Sequence, residues 1–220
     1  MNFTPGLIFP KPTDRKFLAS PLPLDVPAPE AWDTRHALLE SSDQGSSSEC
    51  AAYAMAGFIE YRNRILFDKL DQINPAPIYK EAKRLDGEPN QPGTTLHAVV
   101  QAAENLGLIP VVDKDTFQFV NADQYPLACF KHGVVLISFL ITDAWMHPTA
   151  DGWIPDGGRE LGGHAVLGCG YDDTYISKPR FVQNSWGEDH GWRGFNRMTQ
   201  AQFNSSYMGG LIWNYKQGEQ

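Results

Sequence analysis

The stretch from Asp43 to Ala54 constrains the fold more than any other part of the sequence. A polar loop that contains a glycine ends at Cys50, and helix-forming residues then continue without a proline until Pro75. The apolar positions after Cys50 are spaced as in a helix and do not alternate. We therefore predict that Cys50 lies in the first turn of a helix, where unpaired backbone N–H groups and the helix dipole favour a thiolate. The same position also suits a small, buried and unreactive cysteine.

Two segments far downstream contain candidate partners for this thiol. Gly162-Gly163-His164 is typical of a glycine turn that leads into a buried strand, and Asn184-Ser185-Trp186-Gly187 is typical of a turn after the next strand. A thiol nucleophile needs a base, and the base needs a third group that holds its ring. Cys50, His164 and Asn184 supply these three residue types in that chain order.

These motifs resemble those of the papain family of cysteine peptidases, in which cysteine, histidine and asparagine follow one another in the same order. By resemblance, Gln44, which precedes Cys50 by six residues (50 − 44), forms an oxyanion hole with the Cys50 backbone N–H. Asn184 belongs to the family's Asn-Ser-Trp-Gly motif. The resemblance also implies that Trp186 shields the hydrogen bond between His164 and Asn184 from water.

The resemblance extends over nearly the whole chain, from about Pro21 to Trp213. Trp32–Arg35 is similar to the opening of the family's mature domain, and Gly209–Trp213 is similar to its closing strand. It implies an α+β, papain-like fold of two subdomains, with a helical left half, an antiparallel, β-barrel-like right half and the active-site cleft between them.

The domain boundaries follow from this resemblance and from composition. Residues 1–30, which hold seven of the 16 prolines, are expected to form an extended arm over the surface. Residues 31–110 are expected to form the helical subdomain with the nucleophile, and residues 111–220 the β-rich subdomain with the histidine and asparagine. Together these two form one catalytic domain. The family's inhibitory helical propeptide has no counterpart of sufficient length here, so the arm either merely packs or takes part in restraint.

The local pattern predicts a main helix from Cys50 to Asp68, which Pro75 and Pro77 then end. A further helix is expected to begin at a Thr94 or Thr95 cap and to close at Gly107. A short helix is predicted at 78–85, a short helix with loops at 114–128, and strands at 111–112, 133–139, 164–170, 180–184 and 211–215.

Substrate contacts are implied only by resemblance. Gly93 and Thr94 take the place of the family's glycine pair, whose backbone pairs with an extended substrate, although a plain helix-entry turn fits equally well. Gly163 and Ala165 flank the histidine. His190 stands where the family has a second tryptophan, which affects the leaving-group side of the cleft.

Two further departures from the family concern the nucleophile and its distance from the base. The family's disulfide beside the nucleophile is absent. Glu49 precedes Cys50 and would raise the thiol pKa if it pointed inward. It is expected to point to solvent, because charged residues are almost never fully buried unless they are paired. Cys50 and His164 are 114 residues apart (164 − 50), fewer than the roughly 130–150 typical of the papain type, so the intervening loops are shortened. The loop from 142 to 163, with Trp145, is expected at the cleft rim or as a cover of the barrel.

Composition excludes several other classes of protein. The net charge of −8 argues against nucleic acid or an anionic membrane as partner, and no apolar run is long enough for a membrane span. Three cysteines and the lack of a signal-like N-terminus favour the cytoplasm, with export by a non-classical route as an alternative. Cys129 and Cys169 are expected in the core, where a bridge between them is possible. No histidine pair has metal-ligand spacing, so neither a metal nor a cofactor is expected.

The resulting functional hypothesis is a cysteine endopeptidase that hydrolyses peptide bonds through a thioester acyl-enzyme. A related acyl transfer, as in a peptide ligase, deamidase or transglutaminase-like enzyme, is one alternative. A catalytically weak peptide-binding module on the same scaffold is another. The expected partner is a polypeptide substrate, and a proteinaceous inhibitor is a second candidate.

Overall fold

The structure is a computed structural model that describes residues 6–8, 27–110 and 116–214. Within these ranges it contains five α-helices and seven β-strands. The predicted strand at 111–112 and most of the predicted arm at 1–30 lie outside the described residues. The helices are α1 (Cys50–Phe67), α2 (Pro75–Leu85), α3 (Leu96–Asn105), α4 (Tyr125–His132) and α5 (Gln200–Ser206), and the strands are β1 (Ala31–Asp33), β2 (Phe117–Val120), β3 (Val135–Thr142), β4 (Glu160–Asp172), β5 (Arg180–Gln183), β6 (Phe195–Met198) and β7 (Tyr207–Trp213).

Helix α1 begins at Cys50, as predicted, and is the main helix of the N-terminal half. It ends where Asp68 adopts a left-handed conformation with φ of 53°. One side of the helix is fully buried: Met55, Phe58 and Ile59 have at most 2% of their surface exposed. Phe58 stacks on Trp213 of β7, with 6.4 Å between ring centroids. Burial of this face against the sheet holds the N-terminus of α1, and therefore Cys50, in a fixed place.

The predicted start of α3 agrees with the structure, whereas the predicted start of α2 does not. Thr95 caps α3 by accepting a hydrogen bond from the Ala98 N–H, which confirms the predicted cap. The short helix predicted at 78–85 begins earlier, at Pro75, because Asn74 caps it by accepting from the Ala76 N–H. Proline is favoured in the first turn of a helix, where its missing N–H would have no intrahelical partner.

The strands form one antiparallel sheet in the order β2-β7-β3-β4-β5-β6, and β1 pairs with the end of β4. Three of the seven strands, β1, β2 and β6, were not predicted. β1 pairs with β4, and β6 pairs with β5. They are only three or four residues long, too short for an alternating pattern to stand out. β4 begins four residues before His164, so the predicted glycine turn at 162–163 is in fact strand, paired with β3 across a bulge.

A hydrophobic core lies on each face of this sheet. Leu136 of β3 packs with α1, α2 and α3, whereas its neighbours Val135 and Ile137 pack with α4 and α5. The alternation follows from the two-residue period of a strand. Cys129 and Cys169 are both buried, which confirms their prediction as core residues, and both are free thiols. None of the helices in the described part of the chain is both long and apolar enough to cross a membrane.

Candidate active site

Cys50 lies at the junction of the loop 43–49 and helix α1. The loop is joined to the turn after β5 by two backbone hydrogen bonds, from Gln44 N to Ser185 O at 2.8 Å and from Gly187 N to Ser42 O at 3.1 Å. Gly45 allows the loop to turn because it adopts a positive φ of 58°. These contacts bring the start of α1 against the β-rich half, although Cys50 and the turn are more than a hundred residues apart in sequence.

The Gln44 side chain is held at both ends of its amide. Its Oε1 accepts a hydrogen bond of 2.6 Å from Ser185 Oγ, and its Nε2 donates one of 2.7 Å to Ser47 O. The side chain is buried. An amide nitrogen has two N–H groups, so Nε2 retains a second donor beyond the bond to Ser47.

His164 and Asn184 form the hydrogen bond that the sequence predicts between them, from His164 Nε2 to Asn184 Oδ1 at 2.9 Å. Both side chains are buried. Trp186 is stacked on the imidazole, with 4.6 Å between ring centroids and 18° between planes. Trp145, from the loop 142–163, contacts the same imidazole edge-on at 6.1 Å. The histidine–asparagine bond is therefore enclosed by two indoles.

The sulfur of Cys50 lies beside the strand that carries the histidine. It accepts a hydrogen bond of 3.4 Å from the backbone N–H of Ala165, the residue after His164. The structure thus brings together Cys50, Gln44, His164, Asn184 and Trp186, the five residues that the sequence singles out for catalysis.

A short piece of the N-terminal region, Gly6-Leu7-Ile8, occupies the cleft over Cys50. Leu7 forms a parallel bridge with Thr94 and an antiparallel bridge with Gly163. Thr94 N donates to Gly6 O at 2.8 Å, and Leu7 N donates to Gly163 O at 3.1 Å. A β-carbon built on Gly6 would lie 2.9 Å from the Cys50 sulfur. As a result, Cys50 has no exposed surface at all.

The residues implied as substrate-binding line this occupied cleft, with one exception. Thr94 and Gly163 pair with the segment through their backbones. Gly93 is in close contact with it, since a β-carbon there would lie 2.2 Å from Gly6 O. Ala165 contacts the thiol. His190 instead lies behind Trp186, with its ring edge-on at 4.7 Å.

Burial keeps both catalytic groups uncharged in this closed arrangement. Burial raises the pKa of the Cys50 thiol to about 11, although backbone hydrogen bonds that include those from Ala165 and Gly6 act in the opposite direction. Burial lowers the pKa of His164 to about 4, opposed by the hydrogen bond to Asn184 and reinforced by the nearby His190. Glu49 is partly exposed, and burial raises its pKa. The covered site therefore holds a neutral thiol and a neutral imidazole.

Three features of the site were not predicted from sequence. The first is the insertion of residues 6–8 into the cleft, for which only a glycine and two apolar residues between prolines gave a signal. The second is Ser185, whose hydroxyl orients Gln44. The third is Asn196, which accepts a hydrogen bond from Asn184 Nδ2 at 3.0 Å. In the described ranges, no three histidine, cysteine or carboxylate side chains are grouped as a metal site would require.

Comparison with known proteins gives both a family and a fold. The sequence pattern of the papain family of cysteine proteases matches residues 110–210. Among solved structures, xylellain, a cysteine protease from Xylella fastidiosa, superposes with a TM-score of 0.78 at 18% identity, covering 98% of this chain and 97% of that one. Digestive procathepsin L 3 from the larval midgut of Tenebrio molitor gives a TM-score of 0.74 at 14% identity, covering 97% and 76%. No curated protein matches the sequence.

The matched sequence pattern and the fold make this chain similar to the papain-like cysteine proteases. The family's pattern covers the half with His164 and Asn184, and the structural likeness extends over the helical half as well. The expected α+β, papain-like fold is thereby confirmed, and the resemblance to the papain family is supported over residues 110–210. Proteases of this family act on polypeptides, which is the partner class expected from the sequence.

Proposed function

We propose that this chain is a cysteine endopeptidase in which Cys50 is the nucleophile, His164 the general base and acid, and Asn184 the group that orients the imidazole. The observation that carries the proposal is the His164 Nε2–Asn184 Oδ1 hydrogen bond beneath Trp186, next to a cysteine at a helix N-terminus. A buried bond of this kind holds the imidazole so that its other nitrogen serves the thiol.

The chemistry proceeds in two steps. The Cys50 thiolate, with its proton on His164, attacks the peptide carbonyl carbon, and the oxyanion accepts hydrogen bonds from the Cys50 backbone N–H and the second N–H of Gln44. His164 gives its proton to the departing amine, which leaves an acyl thioester on Cys50. Water then attacks the thioester, assisted by His164, and releases the acid and the thiol.

The segment Gly6–Ile8 restrains this chemistry in the closed state. The Gly6 carbonyl is bound by the Thr94 N–H, whereas Gln44 Nε2 donates to Ser47. In the closed state the Gly6 carbonyl oxygen is therefore bound by the Thr94 N–H, which is not part of the proposed oxyanion hole. A substrate has to displace the segment before it can reach the thiol. Displacement also readmits water, which removes the burial that keeps the thiol and imidazole neutral.

The cleft already binds a peptide backbone in extended form, which supports a polypeptide as the ligand in every version of the proposal. The restraint supplied by residues 6–8 acts within the chain, so it requires no separate inhibitor protein. A cytoplasmic location stays a prediction that depends on the cysteine count. Acyl transfer to an amine and a weakly active binding module remain the alternatives to hydrolysis.

The first test is the labelling of Cys50 with iodoacetamide across a range of pH, with the site located by mass spectrometry. Labelling of Cys50 requires displacement of residues 6–8, and we expect it to be fast well below the ordinary thiol pKa of about 8.5 and to be lost in His164→Ala. Cys129 and Cys169 are internal controls, since both are buried in the two hydrophobic cores and not beneath this segment. An ordinary thiol profile that His164→Ala leaves unchanged would contradict the proposal and favour the binding module.

A second test separates hydrolysis from transfer. Peptide mixtures are incubated with wild-type protein and with Cys50→Ala, with and without an added amine, and the products are identified by mass spectrometry. Cleaved peptides from the wild type alone support the peptidase. Amine adducts in place of free acids would support acyl transfer instead, and cleavage by Cys50→Ala would exclude Cys50 as the nucleophile.

A further inference from the structure

Asn196 is a buried amide on the inward side of β6, where a strand facing a core normally carries an apolar residue. Only 2% of its surface is exposed. It is opposite Val182 of β5, and the other inward residue of its own strand is Met198. A buried amide is unfavourable unless it is hydrogen-bonded, so this position calls for a partner.

That partner is the third member of the proposed triad. Asn184 Nδ2 donates to Asn196 Oδ1 at 3.0 Å, while Asn184 Oδ1 accepts from the Ser185 backbone N–H at 2.8 Å and faces His164 Nε2. The two ends of the Asn184 amide thus have distinct partners. A flipped amide would place an NH₂ group against the Ser185 N–H and an oxygen against Asn196 Oδ1, and both contacts would be repulsive.

We propose that Asn196 is a positioning residue that holds the Asn184 amide in the one orientation that accepts a hydrogen bond from His164. This inference rests on the proposed peptidase function and adds a positioning residue to the triad of Cys50, His164 and Asn184. With Nδ2 bound to Asn196, Asn184 presents only an acceptor to the imidazole. His164 Nε2 must then carry a proton, so the other ring nitrogen is the one that exchanges a proton with Cys50.

The turn before β6 closes over Asn196 and shields it. Gly191, with φ of 64°, passes so close that a β-carbon there would lie 2.7 Å from Asn196 Nδ2. His190 is in side-chain contact with Asn196 on one side and with Trp186 on the other. Burial lowers the pKa of His190 to about 4, with the Asn196 contact acting in the opposite direction, so His190 is a neutral packing group at neutral pH.

Among the titratable groups of the described residues, His190, in the turn before β6, acts on the imidazole of His164. The Cys50 sulfur lies beside the same strand, where it accepts from the Ala165 N–H. The shift of His164 arises from burial, Asn184 and His190. Because the bond to Asn184 raises the pKa of His164, its loss should lower that pKa and shorten the pH range in which a thiolate and an imidazolium coexist.

The test compares three variants of the full chain. Asn196→Leu has the same branched shape, is somewhat larger and has no acceptor. Asn196→Asp keeps an acceptor oxygen at the same place in either protonation state, and Met198→Leu alters the same inward face without touching the amide. The rate of Cys50 labelling by iodoacetamide and kcat/KM for a peptide are measured against pH, and thermal unfolding is recorded for each variant.

For Asn196→Leu we expect both rates to fall about tenfold near neutral pH, the equivalent of one hydrogen bond, and the alkaline limb of the profile to move to lower pH. Asn196→Asp should stay within about threefold of wild type, since the acceptor is kept. Met198→Leu should leave the pH profile unchanged even if it lowers the unfolding temperature.

Four outcomes would overturn the inference. A wild-type profile in Asn196→Leu would show that the amide needs no such support, and the proposed function would stand. An equal shift in Met198→Leu would show that core packing and not the acceptor is responsible. If Asn196→Leu does not fold, a tenfold loss in Asn196→Asp would overturn the inference just as clearly. An ordinary thiol profile in the wild type itself would overturn both this inference and the proposed function.

Discussion

The α-carbon of Gly6 lies directly against the sulfur of Cys50, close enough that an added β-carbon would be 2.9 Å from Sγ and 2.4 Å from the carbonyl oxygen of Ser48. Only glycine fits at this point, because the Ser48 oxygen belongs to the backbone and has little freedom to move. Closure of the cleft therefore depends on the absence of one side chain in the N-terminal segment.

Gly6→Ala should open the cleft. Overpacking of this kind costs about 1–3 kcal/mol, which shifts the equilibrium between the closed and open states toward the open state by about 5- to 150-fold. We expect faster labelling of Cys50 at a fixed pH and higher kcat/KM on a peptide substrate. The labelling rate is measured by quenching the reaction at successive times and analysing the protein by mass spectrometry. A fluorogenic peptide assay measures kcat/KM.

Gly57→Ala is the matched control for this change. It lies within α1, where an added β-carbon would meet Leu167 Cδ2 at an ordinary 3.6 Å, so it should leave the labelling rate unchanged. Leu7→Ala is a second route to the open state, since Leu7 is buried in the cleft. If neither Gly6→Ala nor Leu7→Ala altered labelling, the segment would not be what limits access to the thiol.

Gln44→Ala should lower kcat/KM by about 10²-fold, the typical loss for one oxyanion-hole donor, with little change in the unfolding temperature. Ser185→Ala should cause a smaller loss, about tenfold, because it removes only the hydroxyl that orients the Gln44 amide at 2.6 Å. Steady-state kinetics on one peptide compares the two variants. Equal losses would mean that Gln44 acts through the loop structure and not as a donor to the oxyanion.

Stability should fall as the pH drops from about 6.5 to about 4. Burial lowers the pKa of His132 to about 4, with the nearby Lys131 adding to the lowering and a backbone hydrogen bond acting against it. An unfolded histidine has a pKa of about 6.5, so between these values the unfolded chain binds more protons and gains relative stability. Above pH 6.5 the contribution is complete, and below pH 4 no further loss comes from this group.

Urea denaturation at several pH values tests this expectation. Between pH 6.5 and pH 4 the free energy of unfolding should decrease less in His132→Gln than in the wild type, by about 1–3 kcal/mol. His36→Gln, at an exposed position, is the control and should leave the slope as it is. The same slope in wild type and His132→Gln would assign the pH dependence to the other buried histidines, His164 and His190.

Asp173→Ala should destabilise the fold without touching the active site. Arg180 opens β5 with only 2% of its surface exposed, and its Nη1 donates to Asp173 Oδ1 at 2.6 Å. Removing the carboxylate leaves a buried guanidinium without its counter-charge. The loss for a fully buried pair is about 3–5 kcal/mol, and about 1–3 kcal/mol is expected here because the Asp173 side chain is 30% exposed.

Arg84→Ala is a comparison for that measurement. Its ion pair with Glu81 is on the surface, with the Arg84 side chain 66% exposed, and such exposed pairs contribute little to stability. Urea denaturation of both variants should therefore separate the buried pair from the exposed one. Equal losses in the free energy of unfolding would mean that Asp173 stabilises the fold no more than an exposed ion-pair partner does.

The local signals in the sequence were sufficient for the main helices and for the site residues that belong to motifs. Cys50 at the start of a helix, the Thr95 cap and the strands around His164 and Asn184 all depend on neighbours within a few residues, which sequence patterns record. The short strands β1, β2 and β6 depend on pairing partners elsewhere in the chain, so no local pattern marks them. The Asn74 cap marks the start of α2 at Pro75 in the sequence, but Pro75 and Pro77 also fit the end of the preceding helix, which is what the local pattern predicts.

The amino-acid sequence by itself therefore determined the class of the protein and the identity of the cysteine, histidine, asparagine and glutamine that meet in the cleft. Only the tertiary structure decided that Gly6 lies against Cys50 and that Asn196 binds Asn184. Both contacts join segments through close packing in three dimensions: one requires a missing β-carbon, and the other a buried amide on the inner face of a strand. Neither requirement leaves a periodic pattern, because each concerns a single residue and a partner that the chain brings near only by folding.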